Sequence, residues 1–121
     1  MRSLLSVLII NLFFSCTNAQ EDKSISTIAL KKIVSKNNIQ LLDVRTPKEI
    51  DEGYIIGARF ANFYDKDFYK NASSQLDKSK PVYLYCRSGK RSEKSAKILQ
   101  ENGFVTFNVI GGYNQWKKEN N

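Results

Sequence analysis

"PVYLYCRSGKRSEKSAKILQENG", residues 81–103, holds a strand, a loop and a helix in one short run. Pro81 to Cys86 is dense in aromatic and branched residues, the composition of a buried strand. Ser92 to Gln100 has helical spacing, with Ser92, Ala96 and Leu99 on one face, and Asn102-Gly103 closes it. A strand that turns through a short loop into a helix is the building unit of an α/β fold. Ligands in such folds sit at the carboxyl ends of the strands. Cys86 stands at that end.

The same alternation extends in both directions. After a polar tether at 20–24, Ile28, Leu30, Ile33 and Val34 predict a short amphipathic helix with Ser26 or Thr27 as its cap. "IQLLDV", residues 39–44, is a compact apolar run and predicts a buried parallel strand. Thr46, Pro47 and Glu49 then stand at the N-cap, first helical and third helical positions of a capping box, with Gly53 as the stop. "ARFANF", residues 58–63, is a second strand, followed by a polar connection at 65–76 with a weak helix around Phe68 and Tyr69. "VTFNVI", residues 105–110, is the last strand, and "GGYNQWKKEN", residues 111–120, a turn and a terminal helix. Strands separated by helices imply one α/β domain built on a mainly parallel sheet with helices on both faces.

The chain has 121 residues, 41% hydrophobic and 26% charged, which bounds it to one globular domain. The formal charge of +7 favours anionic partners. The lysines are scattered among acids without a nucleic-acid motif, so nucleic acid is not an expected partner. Histidine is absent. That excludes Ser-His-Asp and Cys-His catalysis and argues against a zinc site, so no metal is expected. Residues 1–19 read as an export signal: Arg2, then an apolar stretch from Leu4 to Phe14, too short to span a bilayer. "FFSC", residues 13–16, resembles a bacterial lipoprotein box ending before Cys16, which would be lipidated and membrane-anchored. Cleavage after Ala19 is the alternative, giving a soluble periplasmic protein. Either way Cys86 is left as an unpaired thiol in an oxidising compartment, which flags reactivity.

Its surroundings support that reading. Across Cys86-Arg87-Ser88-Gly89-Lys90-Arg91-Ser92 a strand end meets a helix start. Backbone N–H groups can point inward there, and the helix dipole adds positive potential. Gly89 permits the turn and a close approach. Three cations ring the loop although cations oppose the dipole at a helix N-terminus, a cost that a central anion would offset. The arrangement favours thiolate over thiol and draws an anionic substrate. The alternative from these residues alone is a solvated basic loop around a buried cysteine.

"CRSGKRS" resembles the active-site loop of single-domain rhodaneses. "LLDVRTPKEIDEGYIIGA" is similar to their first strand and following helix, and "GGYNQW" to their glycine-pair-to-tryptophan ending. The resemblance runs over residues 25–118. It implies a five-stranded rhodanese-like α/β fold and a sulfurtransferase that moves sulfane sulfur from thiosulfate, or a similar small anionic donor, to a thiophilic acceptor such as cyanide or a thiol. Cys86 would be the catalytic nucleophile carrying a persulfide, in ping-pong fashion and with no cofactor. Arg87, Ser88, Gly89, Lys90, Arg91 and Ser92 would bind the substrate, with the three cations holding the donor's charge. Asp43 and Arg45 are expected near the site as structural residues, Asp43 fixing the loop and Arg45 pairing with Glu49 along a helix. Trp116 is expected in core or lid packing, and a monomer is expected. The family's Gly-His-Ile-Pro-Gly-Ala stretch stands here as Gly53-Tyr54-Ile55-Ile56-Gly57-Ala58.

Three other functions compete. A phosphatase or arsenate reductase needs an arginine after five intervening residues, where this chain has Ser92; Arg91 comes after four. A non-catalytic interaction module built on the same fold would commonly lack the cysteine. A redox-sensing thiol would need a partner, since no resolving cysteine lies near Cys86.

Overall fold

A computed structural model describes residues 23–36 and 38–121. The leader expected at 1–19, with Cys16, lies outside the described residues. Ten elements follow one another: β1 (Ser24–Ile25), α1 (Thr27–Val34), β2 (Gln40–Asp43), α2 (Pro47–Asp51), β3 (Arg59–Phe60), α3 (Phe68–Ser73), β4 (Val82–Tyr85), α4 (Lys90–Glu101), β5 (Thr106–Val109) and α5 (Gly112–Glu119). The five strands form one parallel sheet in the order β1-β5-β4-β2-β3. This is the expected α/β architecture, with β4 at its centre.

Period-two alternation along β4 assigns each side chain to a face. Val82, Leu84 and Cys86 pack with Phe68 and Ala72 of α3 and with Ala96 and Leu99 of α4. Tyr83 and Tyr85 point the other way, into a cluster with Leu30 of α1 and with Tyr113 and Trp116 of α5. The helices therefore cover both faces. Leu84 and Leu99 are fully buried, and truncating either to alanine costs about 2–5 kcal/mol. Tyr85 anchors the second face, its hydroxyl accepting the Ile55 N–H at 3.0 Å. Trp116 is half-buried in that cluster. No helix of the described residues is long and apolar enough to cross a membrane.

Three local expectations differ from the structure. The tether hides β1, whose Ser24 and Ile25 pair with Asn108 and Val109. Strand β3 occupies only Arg59–Phe60 of the "ARFANF" run. Helix α4 begins at Lys90, two residues before Ser92, because Gly89 at φ +117° turns the chain straight into it.

The expected Arg45–Glu49 pair is also replaced. Thr46 is the extended N-cap of α2, so Arg45 lies before the helix and outside the i, i+4 geometry that such a pair needs. Arg45 turns back to Asp43, with Nη2 to Oδ2 at 2.7 Å and Nε to Oδ1 at 3.0 Å. Glu49 completes the capping box with Thr46 and reaches across to α4.

Candidate active site

The loop after β4 wraps its backbone around Cys86 Sγ. The Gly89 N–H donates to the sulfur at 3.1 Å, and Ser92 Oγ lies 3.4 Å from it. Helix α4 has no side-chain cap. The sulfur fills the place where a capping oxygen would accept the first N–H groups of a helix. Burial pushes the Cys86 thiol up. The Ser92 hydroxyl and the N–H groups of Ser92, Gly89 and Ser88 outweigh it and leave the thiol below its ordinary value. Cys86 is 1% exposed, so only a narrow terminal atom can approach the sulfur.

The opposite side of the loop is fastened to α5. Tyr113 N–H donates to the Cys86 carbonyl oxygen at 2.8 Å, and Asn114 N–H to that of Arg87 at 3.0 Å. Across a trans peptide, C=O and the following N–H point in opposite directions. Tying both carbonyls to α5 therefore turns the Arg87 and Ser88 N–H groups away from it, toward the cradle. Gly112 makes this contact possible. A Cβ there would lie 2.5 Å from the Cys86 carbonyl oxygen and 2.7 Å from that of Arg87.

The loop cations divide into two kinds. Arg91 is spent on Glu49, with Nη1 to Oε1 at 2.7 Å and Nη2 to Oε2 at 2.8 Å. This bidentate bridge joins α4 to α2, and Arg91 Cζ also lies 5.5 Å from the Tyr64 ring centroid. The expectation that Arg91 holds substrate charge is thus altered by a carboxylate that already occupies its fork. Arg87 and Lys90 are exposed and have no acidic partner among the described residues. Arg87 faces a polar cleft of about 200 Å³ between α2 and α5, shared with Arg45, Glu52, Tyr113 and Lys117.

Asp43 and Arg45 sit behind the loop at the end of β2. Arg45 is 3% exposed, donates to the Gly53 carbonyl oxygen at 2.8 Å and stacks 4.3 Å from the Tyr113 ring centroid. Their pair braces the Gly53 turn and α5 rather than touching the sulfur. Ser88 is exposed at the rim, and Ser92 is fully buried beneath the sulfur. No cluster of three His, Cys, Asp or Glu side chains among the described residues could hold a metal ion.

Three contributors escaped the sequence reading. Asn108 of β5 accepts from Ser92 Oγ at 2.6 Å and donates to the Gly89 carbonyl oxygen at 3.2 Å. The Tyr113 and Asn114 N–H groups act through backbone, which leaves no side-chain signature. For Asn108 the usable signal is a polar residue inside an apolar strand pattern, beside the loop of the neighbouring strand.

Comparison with known proteins adds an independent line. A family model described as "Rhodanese-like domain" matches residues 26–119. The "Putative sulfurtransferase YtwF" of Bacillus subtilis is 42% identical over 100 residues, covering 82% of this chain and 94% of that protein. The "Thiosulfate sulfurtransferase GlpE" of Coxiella burnetii is 34% identical over 96 residues, covering 78% of this chain and 87% of its own length. Among solved structures, a rhodanese-like domain protein from Staphylococcus aureus superimposes with a TM-score of 0.70 at 34% identity, covering 78% of this chain and 90% of that one.

Proposed function

The chain belongs to the rhodanese-like domain family, and we propose that it is a sulfurtransferase working through a persulfide on Cys86. One observation carries the reading: a recessed cysteine accepts the Gly89 N–H and stands beside the Ser92 hydroxyl at the head of α4, with exposed Arg87 and Lys90 at the rim.

The thiolate form of Cys86 attacks the outer sulfur of thiosulfate. An S–S bond forms to Cys86, and the donor's own S–S bond breaks with its electron pair leaving on sulfite. The outer sulfur of the persulfide then lies among the N–H groups of the loop. Cyanide, or the thiolate of an acceptor, attacks that outer sulfur, taking it away and returning the pair to Cys86. Sulfite and thiolate are competent anionic leaving groups, so neither step requires a general acid. Arg87 and Lys90 hold the donor's distal charge. The depth of Cys86 suits a linear approach by one terminal atom. The exported location belongs to the same proposal and rests on the apolar leader; the mass of the mature N-terminus tests it, as a lipidated Cys16 or a start at Gln20.

The test is intact-mass spectrometry of the reduced protein after excess thiosulfate, beside Cys86→Ser. Gain of one sulfur by the wild type alone, removed by cyanide, supports the reading. No gain by folded protein with a reduced Cys86 overturns it for thiosulfate.

A further inference from the structure

Ser92 Oγ stands 3.4 Å from Cys86 Sγ, 2.6 Å from Asn108 Oδ1 and 3.1 Å from the Gly89 carbonyl oxygen. A hydroxyl has one proton to donate. The Gly89 carbonyl already accepts from Glu93 N–H at 3.1 Å and from Asn108 Nδ2 at 3.2 Å. The competition for the proton is therefore between the Asn108 amide oxygen and the sulfur. The Asn108 amide has one workable orientation, because turning it would set Oδ1 against the Gly89 oxygen. A neutral thiol is a weak acceptor, so the proton lies toward Asn108. A thiolate pulls harder, and the hydroxyl must leave Asn108 to answer it.

We infer that Asn108 is a positioning residue of the sulfur-transfer site: it competes with the Cys86 thiolate for the Ser92 hydroxyl, weakening that hydrogen bond, and takes the hydroxyl back once Cys86 carries sulfur. The inference rests on Cys86 being the nucleophile. The thiol proton goes to water on ionisation. In the persulfide, Sγ is bonded to carbon and sulfur and carries no charge, so its pull on the hydroxyl ends. The tug leaves the free thiolate less stabilised and hence a stronger nucleophile.

The substitutions leave in place the charged groups on the elements around the sulfur: Arg87, Lys90, Arg91 and Glu93 of the loop and α4, Glu49 of α2 paired with Arg91, and the Asp43–Arg45 pair at the end of β2. Tyr85 of β4, Tyr64 before α3 and Tyr113 of α5 are the neighbouring phenols, and β5 carries no ionisable group.

The experiment is the pH profile of Cys86 alkylation by iodoacetamide, with thermal melting as the folding control. Asn108→Ala lowers the midpoint by about half to one pH unit, freeing the hydroxyl for sulfur. It also slows sulfur loading at saturating pH by about two- to threefold, since nucleophilicity falls with thiol pKa. Ser92→Ala raises the midpoint. In the Ser92→Ala background, Asn108→Ala shifts nothing further, because the effect passes through Ser92. A folded Asn108→Ala with an unchanged or raised midpoint overturns the inference, as does an equal shift without Ser92. If Asn108→Ala does not fold, Asn108→Asp keeps an oxygen on Ser92 and adds charge; its midpoint must rise, and failure to rise overturns the inference. Failure of the sulfurtransferase reading shows separately, as no added sulfur on a wild type whose alkylation profile is still readable.

Discussion

Gly112→Ala should disable the loop without touching Cys86. Gly112 has φ +55°, a left-handed conformation that costs a non-glycine residue about 1–2 kcal/mol. The added methyl would lie 2.5 Å from the Cys86 carbonyl oxygen, 2.7 Å from that of Arg87 and 2.8 Å from the Arg87 carbonyl carbon. All three are backbone atoms, so no side chain can swing aside. Relief requires α5 and the loop to separate by roughly 0.5–1 Å, which weakens the Tyr113 and Asn114 N–H bonds, at about 0.5–1.5 kcal/mol each. Together the loss is about 2–5 kcal/mol, a fall in melting temperature of roughly 10–25 °C for a domain of this size. The same displacement should lower the rate of sulfur loading by about 10²-fold, the usual effect of an ångström's misplacement. Melting curves and stopped mass-spectrometric loading measure both. Gly57→Ala is the control: its φ is +94°, yet nothing lies within 4 Å of the new methyl. It should lose a little stability and no activity. A Gly112→Ala protein that melts and loads sulfur like the wild type would refute the claim that α5 holds the loop.

Acid should act through Glu49. The Arg91 guanidinium and Thr46 hold its carboxyl at about 2 against an ordinary 4.5. Its folded value is the lower one, so its stabilisation is complete above about pH 5 and drains away as pH falls toward 2. With the side chain 24% exposed the amount is about 2 kcal/mol, and urea melts of Glu49→Gln should show a flatter acid limb; parallel limbs would contradict this. Arg87→Ala should raise KM for thiosulfate about tenfold with little change in melting. Arg91→Ala should show the reverse emphasis, lost stability from the broken bridge to Glu49; steady-state kinetics beside melting curves separates them. Tyr85→Phe leaves the Ile55 N–H buried without its acceptor, at about 1–3 kcal/mol by denaturant titration, while sulfur loading stays near the wild-type rate. Salt should weaken thiosulfate binding by screening exposed Arg87 and Lys90, yet move the alkylation midpoint of buried Cys86 little.

The elements with strong local signals were legible in the sequence. β4 announces itself by composition, α2 by its capping box, and the loop by a cysteine placed between strand and helix. What escaped had at most a weak local signal. β1 is two residues long, below any periodicity, and exists because β5 offers an edge to pair with. The partners of Arg45 and Glu49 were misassigned because sequence spacing cannot tell whether a helix has begun; one residue of extended backbone at Thr46 redirects both. Asn108 comes to the site only when β5 aligns beside β4, with Leu84 opposite it.

That redistribution of partners changes what the positive charge at the loop does. Three cations at a helix N-terminus look like a ring built to stabilise a thiolate. Arg91 instead fastens α4 to α2, and its charge is answered by Glu49. Arg87 and Lys90 stand in solvent, where their field is weakened by water and salt. The groups in contact with the sulfur are neutral dipoles: N–H groups of the loop and the Ser92 hydroxyl. Dipoles held by the backbone need no counter-ion and do not move when the anion leaves. On the proposed function, such a cradle would serve charge on Cys86 before loading and on the outer sulfur after it. A paired arginine at the same place would favour one fixed anion. On the proposed function the division of labour is spatial: backbone would stabilise the reacting sulfur and the exposed cations would gather the donor, while the Arg91–Glu49 bridge ties α4 to α2.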